Sequence, residues 1–248
     1  MVARRILPST FAESGLGFFG TFYPTELSKV DYEFYITQGF DGDDTQANSR
    51  ITEANGMRSV RGSFKTDNNE NKAIVSRVSL SPILGVEVAG SIHHGKWDDN
   101  SKYDVTLMAI DGNLQRGPFE IQGEAAWAAI EGGDRGGTNA PPARMDGYYV
   151  QLNYHFLPEA LKKMAPAHFT DASTFTGIVR WGEMDTNTQE AANKWDVERL
   201  TLGVNFRPTE DSVIKLAYTF NDHNGFQVGG SDNPGRANGW QFNLSTYF

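Results

Sequence analysis

The sequence has no cysteine, no long apolar run and a shortage of positive charge. Without cysteine there is no disulfide framework, and no thiolate to ligate a metal or attack a substrate. No stretch approaches the ~18 consecutive apolar residues of a membrane-spanning helix. The mean hydropathy of -0.47 and a hydrophobic share of 39% are those of a water-soluble chain. Basic residues number 22 against 31 acidic ones, a net charge of -9, which argues against a nucleic-acid partner because phosphate binding needs a basic footprint. Residues 1–5 are basic like the start of a signal peptide, but no apolar stretch follows. An exported protein would therefore have lost its leader, or the chain is a piece of something longer. Catalytic signatures are also missing: there is no GxSxG, P-loop or HExxH pattern.

What is present is alternation. In the closing segment GWQFNLSTYF, Trp240, Phe242, Leu244, Thr246 and Phe248 share one parity, and Gln241, Asn243, Ser245 and Tyr247 the other. Successive side chains of a strand point to opposite faces, so the segment has one apolar and one polar face. Chain ends usually fray into solvent, and an apolar strand face ending in phenylalanine is unusual for a soluble domain. The segment resembles the closing strand of bacterial outer-membrane β-barrels, with Trp240, Phe242, Leu244 and Phe248 as the candidate barrel-assembly signal.

The same pattern recurs along the chain. Val30, Tyr32, Phe34 and Ile36 oppose Asp31, Glu33, Tyr35 and Thr37; Val86, Val88 and Ile92 oppose Glu87, Ala89, Ser91 and His93. Tyr103, Val105, Leu107 and Ala109 form a series opposite Asp104, Thr106, Met108 and Ile110, followed by a turn at 111–117. Further strands are read near 15–23, 72–80, 119–129, 148–156, 175–182, 199–206 and 213–220. This gives about eleven strands of roughly 8 to 11 residues, enough to cross a bilayer at a tilt. Connections near 24–29, 81–84, 111–117 and 207–211 are short and fall on one side. Those near 41–71, 131–146, 185–195 and 223–238 are long, rich in Gly, Asn and Asp, and fall on the other; 157–172 is the exception. The predicted fold is all-β, an antiparallel transmembrane β-barrel in one domain over residues 1–248.

In this reading, Trp97, Tyr103, Phe119, Trp127, Tyr148, Phe156, Trp181, Phe206 and Trp240 form interfacial girdles. The polar face carries Asp31, Glu33, Glu87, Asp104, Glu120 and Glu124 against Arg77, Arg180, Arg199 and Lys215 as candidate pore-lining residues. Unpaired charges in a dry interior would cost several kcal/mol each, so these groups belong in a water-filled lumen or in paired networks across it. They either bias ion passage or neutralise one another and hold the barrel's shape. The segment Asp41 to Asn71 is the candidate loop folding inward.

No metal or cofactor is expected. His93 and His94 point to opposite faces and read as solvated side chains, not a shared metal pair. Glu120 and Glu124 lie roughly 13 Å apart along a strand, too far for a paired acid and base. The acidic run Asp41 to Asp44 lacks the spacing of a calcium loop.

Several segments, in order, resemble the phosphate-selective porin O and P family of Gram-negative outer membranes: ILPSTFAESGLGFFG, DYEFYITQGFDG, DNNENKAIVSRVSLSPILGVEVAGS, FEIQGEAAW, YYVQLNYHFLPEAL, RLTLGVNFRP, SVIKLAYTF and WQFNLSTYF. The resemblance implies a sixteen-strand barrel, commonly a homotrimer, in the bacterial outer membrane. It implies contact with outer-membrane lipid and lipopolysaccharide, insertion by the barrel-assembly machinery, and passive passage of small solutes or ions. Two departures stand out. The first strand runs inward and the strand count is odd, as in the C-terminal part of a longer porin. The six acids and four bases of the candidate pore set do not support phosphate selectivity. The competing readings are an outer-membrane enzyme, for which no clustered catalytic set is present, and a secreted β-sandwich binding glycans through exposed aromatics.

Overall fold

The computed structural model describes residues 5–43, 45–46, 49–62, 67, 70–133, 140–165, 169–170, 172–189, 195–223 and 238–246. Within them the chain forms β1 (Gly15–Thr25), β2 (Ser28–Thr37), β3 (Ala73–Ser81), β4 (Val86–Lys96), β5 (Asp104–Arg116), β6 (Phe119–Ile130), β7 (Arg144–Phe156), β8 (Thr174–Asp185), β9 (Asp196–Thr209), β10 (Ser212–His223) and β11 (Gly239–Thr246). The helical elements include one short α-helix, α1 (Glu159–Met164), and a 3-10 turn at Met57–Val60. All eleven strands lie in one sheet, in sequence order, and each adjacent pair is antiparallel.

Register assigns the faces. Opposed residues share a face, so the row Phe18, Phe34, Ser76, Ile92, Met108 and Trp127 runs outward across six strands. Further along, Val150, Trp181, Leu200 and Phe220 continue the outer face. Large apolar side chains are exposed there, including Val78, Val88, Ile110, Leu152, Val179, Leu202 and Leu216. A water-soluble sandwich packs such a face against a second sheet. Among the described residues there is no second sheet, so the β-sandwich alternative is set aside.

The connections fall into two sets. At the lower end, residues 26–27, 82–85, 117–118 and 210–211 are tight turns, and 157–173 is long. At the upper end lie 38–72, 97–103, 131–143, 186–195 and 224–238, of which 44, 47–48, 63–66, 68–69, 134–139, 190–194 and 224–237 fall outside the described residues, as does Phe248 of the candidate assembly signal.

β5 departs from the sequence reading. It continues through 111–116, which was read as a turn, and its faces are reversed: Met108, Ile110 and Leu114 point outward, Val105, Leu107 and Ala109 inward. Asp104 therefore sits on the outer face at the strand's upper end, in an ion pair with Lys96 at 2.7 Å. The cause is a dry patch on the inner face. Ile6 and the loop residues Phe40, Ile51, Met57 and Val60 pack inside against Val105, Leu107, Ala109, Ala126, Ala128, Ile130, Met145, Met184 and Val197. With apolar side chains on both faces, parity alone could not orient this strand.

Trp97 and Tyr103 are corrected with it. Trp97 is 0% exposed inside this cluster, stacks on Tyr103, and donates its indole N–H to the Glu131 carbonyl at 3.2 Å; neither is a girdle residue. Phe119, Trp127, Tyr148, Phe156, Trp181 and Trp240 are exposed on the outer face, and Phe206 shares that face by its register with Phe175. Truncating a buried aromatic to Ala costs roughly 3 to 5 kcal/mol. Trp97→Ala should therefore lower the thermal midpoint of the refolded protein markedly more than Trp127→Ala on the outer face, by near-UV circular dichroism in detergent.

Candidate functional site

The inner face is where chemistry collects, and the loop that follows β2 shapes it. Residues 38–62 turn inward, because their apolar members have the inner patch of β5 to β9 to pack on. The loop is pinned to β4's end by Gly42 N–H to the Trp97 carbonyl at 2.9 Å, and braced internally by Asp41 N–H to the Val60 carbonyl at 2.9 Å. Its far contact lies beyond β8: Thr186 Oγ1 donates to the Glu53 carbonyl at 2.7 Å, and Asn187 Nδ2 donates to Glu53 Oε1 at 3.1 Å. The loop therefore bridges from β2 to the end of β8, across the space the sheet curves around.

The segment before β1 joins it. Phe11 stacks on Phe40 with ring centroids 4.6 Å apart, and Arg61 donates to the Ser9 carbonyl at 2.5 Å and to Thr10 Oγ1 at 2.8 Å. Gly56 has φ +58, and a Cβ there would lie 2.3 Å from the Arg5 carbonyl oxygen, so only glycine allows this approach. Burial, with Arg58 and Arg199 nearby, lowers the Arg5 pKa to about 10. Guanidinium groups of the loop, the leading segment and the β9 wall thus converge on one region.

The candidate pore-lining residues divide by position. By register Asp31, Glu33, Arg77, Glu87, Glu120, Glu124, Arg180, Arg199 and Lys215 all lie on the inner face, while Asp104 does not. The carboxylates belong to β2, β4 and β6, and three of the four cations to β8, β9 and β10. Arg77 is the exception, held bidentately by Asp111 at 2.5 and 2.8 Å. Asp111 was missed in the sequence because it fell within the segment read as a turn. Continued alternation through Gly112 and Leu114 was the signal that could have found it.

Other inner charges are also paired or solvated by polar neighbours. Asp31 meets Lys29 at 2.7 Å and accepts from Thr21 at 2.6 Å. Glu120 accepts from Gln122 and Asn153 and meets His155 at 3.1 Å. Arg180 lies 3.6 Å over the Tyr149 ring, and Arg199 donates to Asn221 Oδ1 at 2.5 Å. A recess of ≈ 360 Å³ on the wall of β7 to β11 gathers Arg180, Arg199 and Lys215 with the amides of Gln151, Asn205, Gln241 and Asn243. Its described lining contains no carboxylate.

His93 and His94 do point to opposite faces, but His93 is not solvated. It is 8% exposed, meets Glu13 at 3.3 Å and lies against Phe11 and Phe40. Asp43 is held below the usual carboxylate range by hydrogen bonds from the Thr45 hydroxyl and N–H. Asp44 lies outside the described residues. Among the described residues no group of three or more His, Asp or Glu side chains could hold a metal ion.

No protein-family model matches the sequence, and no curated protein matches it either. Solved structures do match in fold. One is a porin refined at 1.8 Å, at 14% identity and TM-score 0.50, with 97% of this chain covered and 64% of that one. Another is an anion-selective porin from Comamonas acidovorans, at 10% identity and TM-score 0.49, covering 90% and 55%. The chain thus shares the fold of the first of these, a porin β-barrel wall, and it spans less than two thirds of the length of either structure.

Two buried hydrogen bonds at about 1 kcal/mol each hold the far end of the loop. The double change Glu53→Ala with Thr186→Val should raise its open population, and its rate of limited proteolysis between residues 41 and 62, roughly thirty-fold. The strand ladders should keep their protection from hydrogen exchange.

Proposed function

We propose that this protein forms a water-filled channel in the bacterial outer membrane and passes small ions and hydrophilic solutes by passive diffusion, without catalysis. The observation that carries this reading is the inversion of the usual globular arrangement. The outer face of the sheet is apolar and exposed, and the inner face carries the charges and amides. The outer face suits lipid, and the inner one suits water.

The inward loop narrows the passage, and charge segregation makes its walls unlike. In water a unit charge at ~4 Å is worth about 1 kcal/mol, so each wall cation changes the local anion concentration on the order of fivefold. Arg180, Arg199 and Lys215 form the wall that favours anions, against carboxylates on β2 to β6, and solutes pass between the two. Phosphate, the solute suggested by the resemblance to the phosphate-selective porin O and P family, is one of the anions this wall could conduct. Assembly as a homotrimer, insertion by the barrel-assembly machinery, and contact with lipopolysaccharide belong to the same reading.

The test is twofold. The refolded 248-residue chain should migrate faster in SDS before boiling than after, and should give discrete conductance steps in planar bilayers. Reversal potentials across a salt gradient should shift towards cations, several-fold in permeability ratio, when Arg180, Arg199 and Lys215 are all changed to Gln. Absence of any conductance from heat-modifiable protein would overturn the channel reading.

A further inference from the structure

Of the long lower connection, 157–173, the described residues are 157–165, 169–170 and 172–173, and Phe169 among them lies against the outer face. Its Phe169 ring lies 5.6 Å from Phe206 and 6.4 Å from Phe175, and register places both of those on the outer face. Ser173 Oγ donates to the Pro208 carbonyl at 2.8 Å and fixes the end of the connection beside the neighbouring turn. Phe169 is thus continuous with the apolar outer belt.

Its helix, α1, buries none of its residues. Met164 is 79% exposed, and Lys162 and Lys163 occupy the last turn. Two lysines at a helix C-terminus complement the helix dipole and need no other account. That accounts for neither an exposed Met164 nor a Phe169 folded onto outward aromatics. Leu84, at another turn of the same lower edge, is 97% exposed. An apolar belt meeting lysines along one rim has the polarity of a lipid interface, with acyl chain on one side and phosphate on the other.

We propose that this connection is an interfacial anchor. Met164 and Phe169 enter the upper acyl region of the lower leaflet, and Lys162 and Lys163 pair with the phosphates of phospholipid headgroups. The proposal rests on the membrane-barrel reading and adds to it a specific lipid contact on one edge.

Because the chain has no cysteine, Met164→Cys gives a single labelling site. The full chain would be refolded into phosphatidylcholine–phosphatidylglycerol vesicles with an environment-sensitive fluorophore there, and with Val179→Cys, on the outer face in mid-strand, as a reference. Lipids carrying a spin label near the headgroup should quench the label at 164 strongly and aqueous iodide only weakly. Lys162→Gln with Lys163→Gln should lower the lipid quenching several-fold. Iodide quenching at 164 with lipid quenching kept at 179 would overturn the anchor and leave the barrel reading standing. Iodide quenching at both sites would overturn the barrel reading itself. Protection of 164 from both quenchers would indicate a protein contact and overturn the anchor. An unchanged signal in the double Gln variant would overturn the pairing with phosphate.

Discussion

The structure depends first on the antiparallel ladder. Every strand from β2 to β10 is hydrogen-bonded on both sides, so the backbone polar groups of the wall are satisfied within the sheet. That satisfaction frees the side chains to face two different surroundings. Where water is excluded, an unpaired peptide group would cost several kcal/mol, and continuous strand pairing is one of the few solutions. The alternating sequence is the imprint of this constraint: one parity is chosen for the outside and the other for the inside, and a slip of one residue would exchange them.

Inside, the competing demands are charge and closure. Charges on the inner wall are tolerable only where water or a partner reaches them, and three pairs supply the partner: Asp31 with Lys29, Arg77 with Asp111, Glu120 with His155. The loop after β2 adds the opposite element, a dry apolar cluster within a polar interior, held between β2 and the end of β8. Shape is set by packing, and the unlike walls by the division of charge between β2 to β6 and β8 to β10. The two devices meet at β8 and β9, where Met184 and Val197 bed the loop and Arg180 and Arg199 belong to the cationic wall.

The order of strands, their faces and the sorting of their connections could be read from the sequence because each strand carries its own period. The exception, β5, shows the limit of that signal. Val105, Leu107 and Ala109 are as apolar as Met108, Ile110 and Leu114, and only the docking of Ile6, Phe40 and Met57 explains why the first set points inward. Trp97 and Tyr103 were misplaced for the same reason. The inward path of residues 38–62 was read as a possibility from length and polarity, but its anchors at Thr186 and Asn187 lie more than a hundred residues away in sequence, where no local pattern can register them. Segment 5–14, which precedes the first strand read from the sequence, likewise gains its place from Phe11 against Phe40 and Glu13 against His93.

The inner apolar patch also bears on how the molecule matures. Until residues 38–62 settle onto it, Val105, Leu107, Ala128 and Ile130 would line a wet interior as a sticky surface, and Trp97 would have one face bare. The bed for the loop is composed of side chains from β5 to β9, so it exists only where those strands are paired. A wall that lacked the loop would leave this apolar interior surface bare, so loop and wall depend on each other for a complete interior.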